Sequence, residues 1–164
     1  MAYGQALSHT PQVFRSVPFI ELRQSLPSQT SIISPFVDQL MNFITRFRNA
    51  DGSELEIETA MREALANAIV HGNKEDLRKR VSVVCRCTTD GEVSIRVEDE
   101  GQGFDINKVA DPTIPENRRL PYGRGIYLMK TSMDELGFEK GGAVVYMRKA
   151  SNATPGSRKK TAPV

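Results

Sequence analysis

Glu63 and Asn67 stand four residues apart in Glu63-Ala-Leu-Ala-Asn67. On a helix that spacing sets a carboxylate and an amide about 5–6 Å apart on one face, and His71 continues the same stripe. An asparagine is a poor mid-helix choice, because its propensity is low and its amide needs partners. Its oxygen suits a hard cation such as Mg²⁺, which takes few protein ligands and completes its shell with phosphate and water. The carboxylate one turn away can orient or deprotonate an attacking hydroxyl or water. Alone, the pair reads as the polar face of an ordinary amphipathic helix.

Two further blocks change that balance. Asp99-Glu-Gly101-Gln-Gly103-Phe104 ends an apolar segment with an acid and two glycines, and such glycines let backbone approach a ligand closely. A carboxylate at this point can accept the exocyclic amine of adenine, and its lack of donors disfavours guanine. Gly123-Arg124-Gly125 then precedes Ile126-Tyr-Leu-Met, where backbone N–H groups at a helix start can meet phosphate oxygens. Arg124 adds a charge-assisted contact. A turn and a loop end would explain either block by itself. In this order, the three read as one nucleotide site. The site is not a P-loop, since the Gly-Lys-Ser/Thr ending is missing, and no dinucleotide fingerprint follows the first strand.

The elements that must carry these blocks are legible from periodicity. Residues 1–12 have no pattern and are expected to be disordered. Residues 13–26 contain a strand around Val17-Pro-Phe-Ile-Glu-Leu-Arg. Ser34 before Pro35 suggests a helix start, and Phe36, Leu40, Phe43, Ile44 and Phe47 follow at helical spacing. Ser53 and Glu56 suggest a capping box for a second helix running to about His71. Its buried stripe would be Ile57, Met61, Ala64, Leu65, Ala68 and Ile69. Residues 81–88 and 93–98 alternate as strands across Thr89-Asp90-Gly91, a hairpin. Residues 105–122 hold three prolines and little periodicity, as in a functional or mobile lid. A third helix over 124–136 and a closing strand pair complete the order. The fold class is an α/β (α+β) two-layer sandwich: a mixed, mostly antiparallel sheet with helices on one face.

Composition fits one domain of 164 residues, expected to span 13–150, with a basic disordered tail over 151–164. Arg158, Lys159 and Lys160 in that tail account for the formal charge of +2, leaving 19 basic against 20 acidic residues elsewhere. Such a body does not suggest nucleic-acid binding. No run approaches the roughly 18 apolar residues of a membrane span, and no secretory signal opens the chain. A cytoplasmic location is the default expectation. Cys85 and Cys87, two apart in an alternating segment, share one strand face. They read as core thiols rather than zinc ligands.

The longer segments Glu63-Ala-Leu-Ala-Asn67-Ala-Ile-Val-His71-Gly72-Asn73, Asp99-Glu-Gly-Gln-Gly-Phe104-Asp105 and Gly123-Arg-Gly-Ile-Tyr-Leu-Met resemble the N, G1 and G2 boxes of the gyrase/histidine-kinase-type ATPases, the Bergerat fold. More narrowly, they are similar to bacterial anti-sigma factor serine kinases. The resemblance covers roughly residues 15–149. It implies that Asn67 coordinates Mg²⁺ and that Glu63 serves as catalytic acid/base for ATP. It also implies that Asp99 holds adenine, with Gly101, Gly103, Gly123 and Gly125 shaping the pocket and lid hinges. His71, Phe104 and Ile126 belong to the same pocket by this resemblance. Such kinases phosphorylate a serine on a STAS-type anti-anti-sigma partner, otherwise sequester a sigma factor, and are usually homodimers. The alternative is a non-catalytic, ATP-gated binding regulator of the same fold. Two departures stand out. Ala143 follows Gly142 where relatives often have threonine, and Arg118, Arg119 and Arg124 all qualify as the arginine near the γ-phosphate.

Overall fold

The computed structural model describes residues 17–48, 50–103 and 123–152. The expected disordered N-terminus, residues 105–122 with Arg118 and Arg119, Phe104, and all but the first two residues of the basic tail lie outside them. Strand β1 (Phe19–Pro27) is followed by helices α1 (Ile33–Phe47) and α2 (Glu54–Ala66), then β2 (Arg80–Thr88) and β3 (Val93–Asp99). Helix α3 (Arg124–Ser132), β4 (Glu135–Glu139) and β5 (Val144–Lys149) close the order. The sheet runs β1-β2-β3-β5-β4. All four ladders are antiparallel, the limit of the mostly antiparallel sheet expected.

Alternation decides which sheet face is covered. Val81, Val83, Cys85 and Cys87 of β2 and Val93, Ile95 and Val97 of β3 are buried, and their neighbours point the other way. The helices lie over this apolar face. Leu40 and Ile44 of α1, with Ile57, Met61, Leu65 and Ile69, fill the space beneath. The whole stripe expected on the second helix is buried. Both cysteines are free and lie within the core. On the opposite face Glu21 pairs with Arg86, Glu98 with Arg96 and Lys140, and Arg148 with Glu92 and Glu135. Such solvent-facing pairs contribute little to stability.

Three element ends differ from the periodicity reading. α1 begins at Ile33 after a short 3₁₀ turn, Thr30–Ile32, so Ser34 is inside the helix. Its hydroxyl instead accepts from Arg62 at 3.0 Å. Pro35 still falls within the first turn, where no N–H is needed. Ser53 precedes α2 without capping it, because its Oγ donates to Asp51 Oδ1 at 2.6 Å. Asp51 also pairs with the buried guanidinium of Arg48, which donates to Ala150 O at 2.8 Å. α3 stops at Ser132 rather than 136. There the buried Lys149 Nζ donates to Ser132 O at 2.8 Å, a cation at the carbonyl end of the dipole. Asp134 N–H already bonds Arg148 O at 3.0 Å, so the chain has joined the sheet.

Candidate functional site

The end of α2 is where the first block meets the rest. From Asn67 to Gly72 the helix continues as a wider π-type turn, a local form common at functional sites. Asn73 N–H closes it onto Ala68 O at 2.8 Å. Glu63 and Asn67 are half-buried on the side facing α3. Gly125 sits directly opposite. A Cβ built there would lie 2.6 Å from Glu63 Oε2 and 3.6 Å from both polar atoms of the Asn67 amide. The carboxylate and the amide therefore converge on the same space beside the start of α3.

That start is set by Gly123, whose φ of 96° is in the left-handed region that glycine adopts freely. The first bond of the helix is Tyr127 N–H to Gly123 O at 3.0 Å. The amides of Arg124, Gly125 and Ile126 precede it and have no intrahelical acceptor. Arg124 is exposed at the rim, while Ile126 packs against the core.

The second block closes the other end. Asp99 N–H bonds Ala143 O at 3.0 Å as β3 leaves the sheet, and Gly101 N–H donates to Asp99 Oδ1 at 2.8 Å. The carboxylate lies against the helix end: a Cβ on Gly72 would come within 2.3 Å of Asp99 Cγ. Gly101 faces Gly72 just as closely, with its own Cβ position 2.2 Å from Gly72 O. Gly103, at φ +73°, passes Gly141 O at 2.0 Å from where a Cβ would be. Burial pushes the Asp99 carboxyl above the ordinary carboxylate range, against the pull of the Gly101 amide and Lys79.

Between the two ends lies a cavity of about 540 Å³, within the roughly 300–1,000 Å³ of small-molecule sites. Glu63, Asn67, His71, Asp99, Gly103, Gly123, Arg124, Gly125 and Ile126 all line it. Gly101 does not line it but supports Asp99 from behind. The cavity floor is apolar, built by Val97, Met129, Phe138 and Val145, and offers a flat ring a dry surface between polar ends. Spacing gave no sign of these four, because they come from three strands and a helix. Gly72 and Ala143 also border the space. Ala143 stands beside Asp99, where a threonine would have offered a hydroxyl.

Among the described residues no three His, Cys, Asp or Glu side chains gather as a metal cluster. A metal here would rest on one or two protein oxygens. The Asn67 amide oxygen beside a phosphate-compatible helix start suits Mg²⁺, which dehydrates reluctantly and keeps several waters.

Residues 26–149 match the model of the histidine kinase-like ATPase domain. The chain belongs to that family. Its relatives include anti-sigma F factors. That of Clostridium botulinum (strain Eklund 17B) is 39% identical over 105 residues, 59% of this chain and 71% of the relative. The Geobacillus stearothermophilus protein is 39% identical over 102 residues, 58% and 68% of the two chains. That of Priestia megaterium is 31% identical over 115 residues, 66% and 77%. At this coverage the chain stands with the anti-sigma F factor group of the family. A crystal structure of the RsbU and RsbW domains of Rv1364c from Mycobacterium tuberculosis shares the fold, with a TM-score of 0.55 at 16% identity. The match covers 80% of this chain and 32% of that longer one. An ATP-binding domain follows from the family. No helix among the described residues is long and apolar enough to cross a membrane.

Proposed function

We propose that this chain is an ATP-dependent serine-protein kinase acting as an anti-sigma factor. It sequesters a sigma factor and phosphorylates a serine of a STAS-type anti-anti-sigma partner in the cytoplasm, as a homodimer. The observation that carries the proposal is the convergence of Glu63 and Asn67 beside Gly125, at the end of the cavity away from Asp99. A nucleotide bound with its base at Asp99 would direct its phosphates toward that pair.

In this reading Asp99 accepts the adenine amine, and Val97, Met129, Phe138 and Val145 enclose the ring. The amides that open α3, which lack an intrahelical acceptor, and the Arg124 guanidinium receive phosphate oxygens. Asn67, with Glu63 nearby, would hold Mg²⁺, which neutralises charge on the phosphates when bound. Glu63 takes the proton from the attacking serine hydroxyl as its oxygen bonds to the γ-phosphorus and the bond to the β-phosphate oxygen breaks, releasing ADP. Phosphoryl transfer asks chiefly for positioning and charge stabilisation, and these groups supply both. Arg124 contributes from the rim.

Incubation with labelled ATP and a candidate STAS protein tests the proposal. Phosphoserine on the partner is the expected result, lost in Glu63→Ala. Nucleotide-dependent co-purification of a sigma factor with no transfer to any partner would instead support the ATP-gated binding regulator.

A further inference from the structure

Behind Asp99 lies a buried polar cluster that the three sequence blocks do not include as a functional unit. Asn73 follows the π-type turn and is 1% exposed. Its amide makes three hydrogen bonds, each to a different part of the chain. Nδ2 donates to Ser28 Oγ at 2.6 Å and to Arg80 O at 2.8 Å. Oδ1 accepts Glu100 N–H at 2.8 Å. The partners fix the orientation of the amide, since a backbone carbonyl can only accept and a backbone N–H can only donate. Ser28, wholly buried, donates its own hydroxyl to Lys79 O at 3.0 Å. One side chain thus joins the end of β1, the start of β2 and the residue after β3.

The bond to Glu100 N–H bears on the site. Glu100 lies between Asp99 and Gly101, and Gly101 N–H is the donor that holds Asp99 Oδ1. Asp99 N–H is held by Ala143 O. Asn73 therefore fixes the one remaining amide in the three-residue turn that aims the carboxylate. A helix stop needs only Gly72 and the backbone bond to Ala68. It does not need a buried side chain with three hydrogen-bond partners, at residues 28, 80 and 100.

We propose that Asn73 is a positioning residue for base recognition. Through Glu100 it sets the backbone that presents the Asp99 carboxylate to the exocyclic amine of adenine, and so sets the preference for adenine nucleotides. This rests on the reading in which Asp99 holds the base.

The test compares ADP with its 6-deamino analogue, purine riboside diphosphate, by calorimetry on the full chain. In the unaltered protein ADP binds more tightly than the analogue. Asp99→Ala should collapse that preference, and a preference left intact would remove the reading of Asp99 itself. With that control in hand, Asn73→Ala should weaken ADP about tenfold while changing the analogue less than about twofold. Equal weakening of both ligands would mean that Asn73 only supports the fold, and overturns the proposal. No change in either would overturn it too. Ser28→Ala is the milder variant should Asn73→Ala fail to fold. It leaves the Glu100 bond in place and removes one anchor of the amide, so the preference should fall about two- to threefold. An unchanged preference in Ser28→Ala, where Asn73→Ala cannot be purified, would also overturn the proposal.

Discussion

The two ends of the cavity are built on opposite plans. At the Asp99 end the three backbone amides of residues 99–101 are held, by Ala143 O, by Asn73 and by Asp99 itself. Two glycines pack there with no room for a methyl group. At the Glu63 end the working side chains are half-buried, Arg124 is exposed, and the amides opening α3 are unpaired within the helix. The first end is a fixed template, the second an open one. The difference matches the tasks proposed for them: a base must be recognised by shape, whereas phosphates, a metal and a protein serine must come and go.

The largest effect that would separate the ends is at Glu63. Glu63→Ala should cut phosphate transfer by roughly 100- to 10,000-fold, the range of a lost general base. ADP affinity should stay within about twofold. Partner phosphorylation at the unaltered rate would end the assignment of Glu63, and with it the functional half of the comparison. The opposite pattern is expected of Gly72→Ala. Its new methyl group would meet the pinned Asp99 carboxyl 2.3 Å away, and overpacking of this kind should weaken ADP by roughly 10- to 100-fold. Tight ADP binding in that variant would show the template to be softer than its hydrogen bonds suggest.

Acidity offers a third separation. Burial raises the Asp99 carboxyl above 3.8, so between that value and its native value the folded chain holds a proton that the unfolded chain has released. Stability from this group is therefore greatest below 3.8 and declines as pH rises through the window. Binding moves the other way, because the ionised carboxylate is the stronger acceptor for the adenine amine and protonation turns one of its oxygens into a donor. Affinity for ADP should fall up to about tenfold per unit of pH once below the raised value. A titration of the dissociation constant should show the inflection, and Asp99→Asn should abolish it. The smallest effect is reserved for Gly125→Ala. There the new methyl group meets only the tip of the flexible Glu63 side chain, at 2.6 Å. Transfer should slow about threefold with ADP affinity unchanged, and a large loss of binding would show that the open end is as rigid as the other.

How much of this was readable in the chain depended on how far each signal reached. The α2 stripe, the β2–β3 hairpin and the side-by-side cysteines rest on neighbours within a few residues, and each appears where periodicity put it. Nine of the eleven residues singled out for the site line the cavity. Gly101 supports it, and Phe104 lies outside the described residues. What periodicity missed was contact across long separations. Ser53 has the composition of a cap, yet Asp51 takes its hydroxyl. The end of α3 is set by Lys149, 17 residues on. Asn73 looks like a helix stop until its partners 45 residues before and 27 after it are known. Only its backbone role was local enough to read.

Cys85 and Cys87, sealed at 0% and 2% exposure, carry a practical consequence. A thiol reagent can reach them only when the sheet parts from its helices, so alkylation is a clock that runs on opening events. Where reclosing outpaces modification, the labelling rate reports the free energy of opening. A ligand that binds only the closed form should slow the clock in proportion to its occupancy. The core thus contains its own reporter. Nucleotide and the proposed protein partners could each be ranked by how long they keep two thiols hidden, with no label added to the chain.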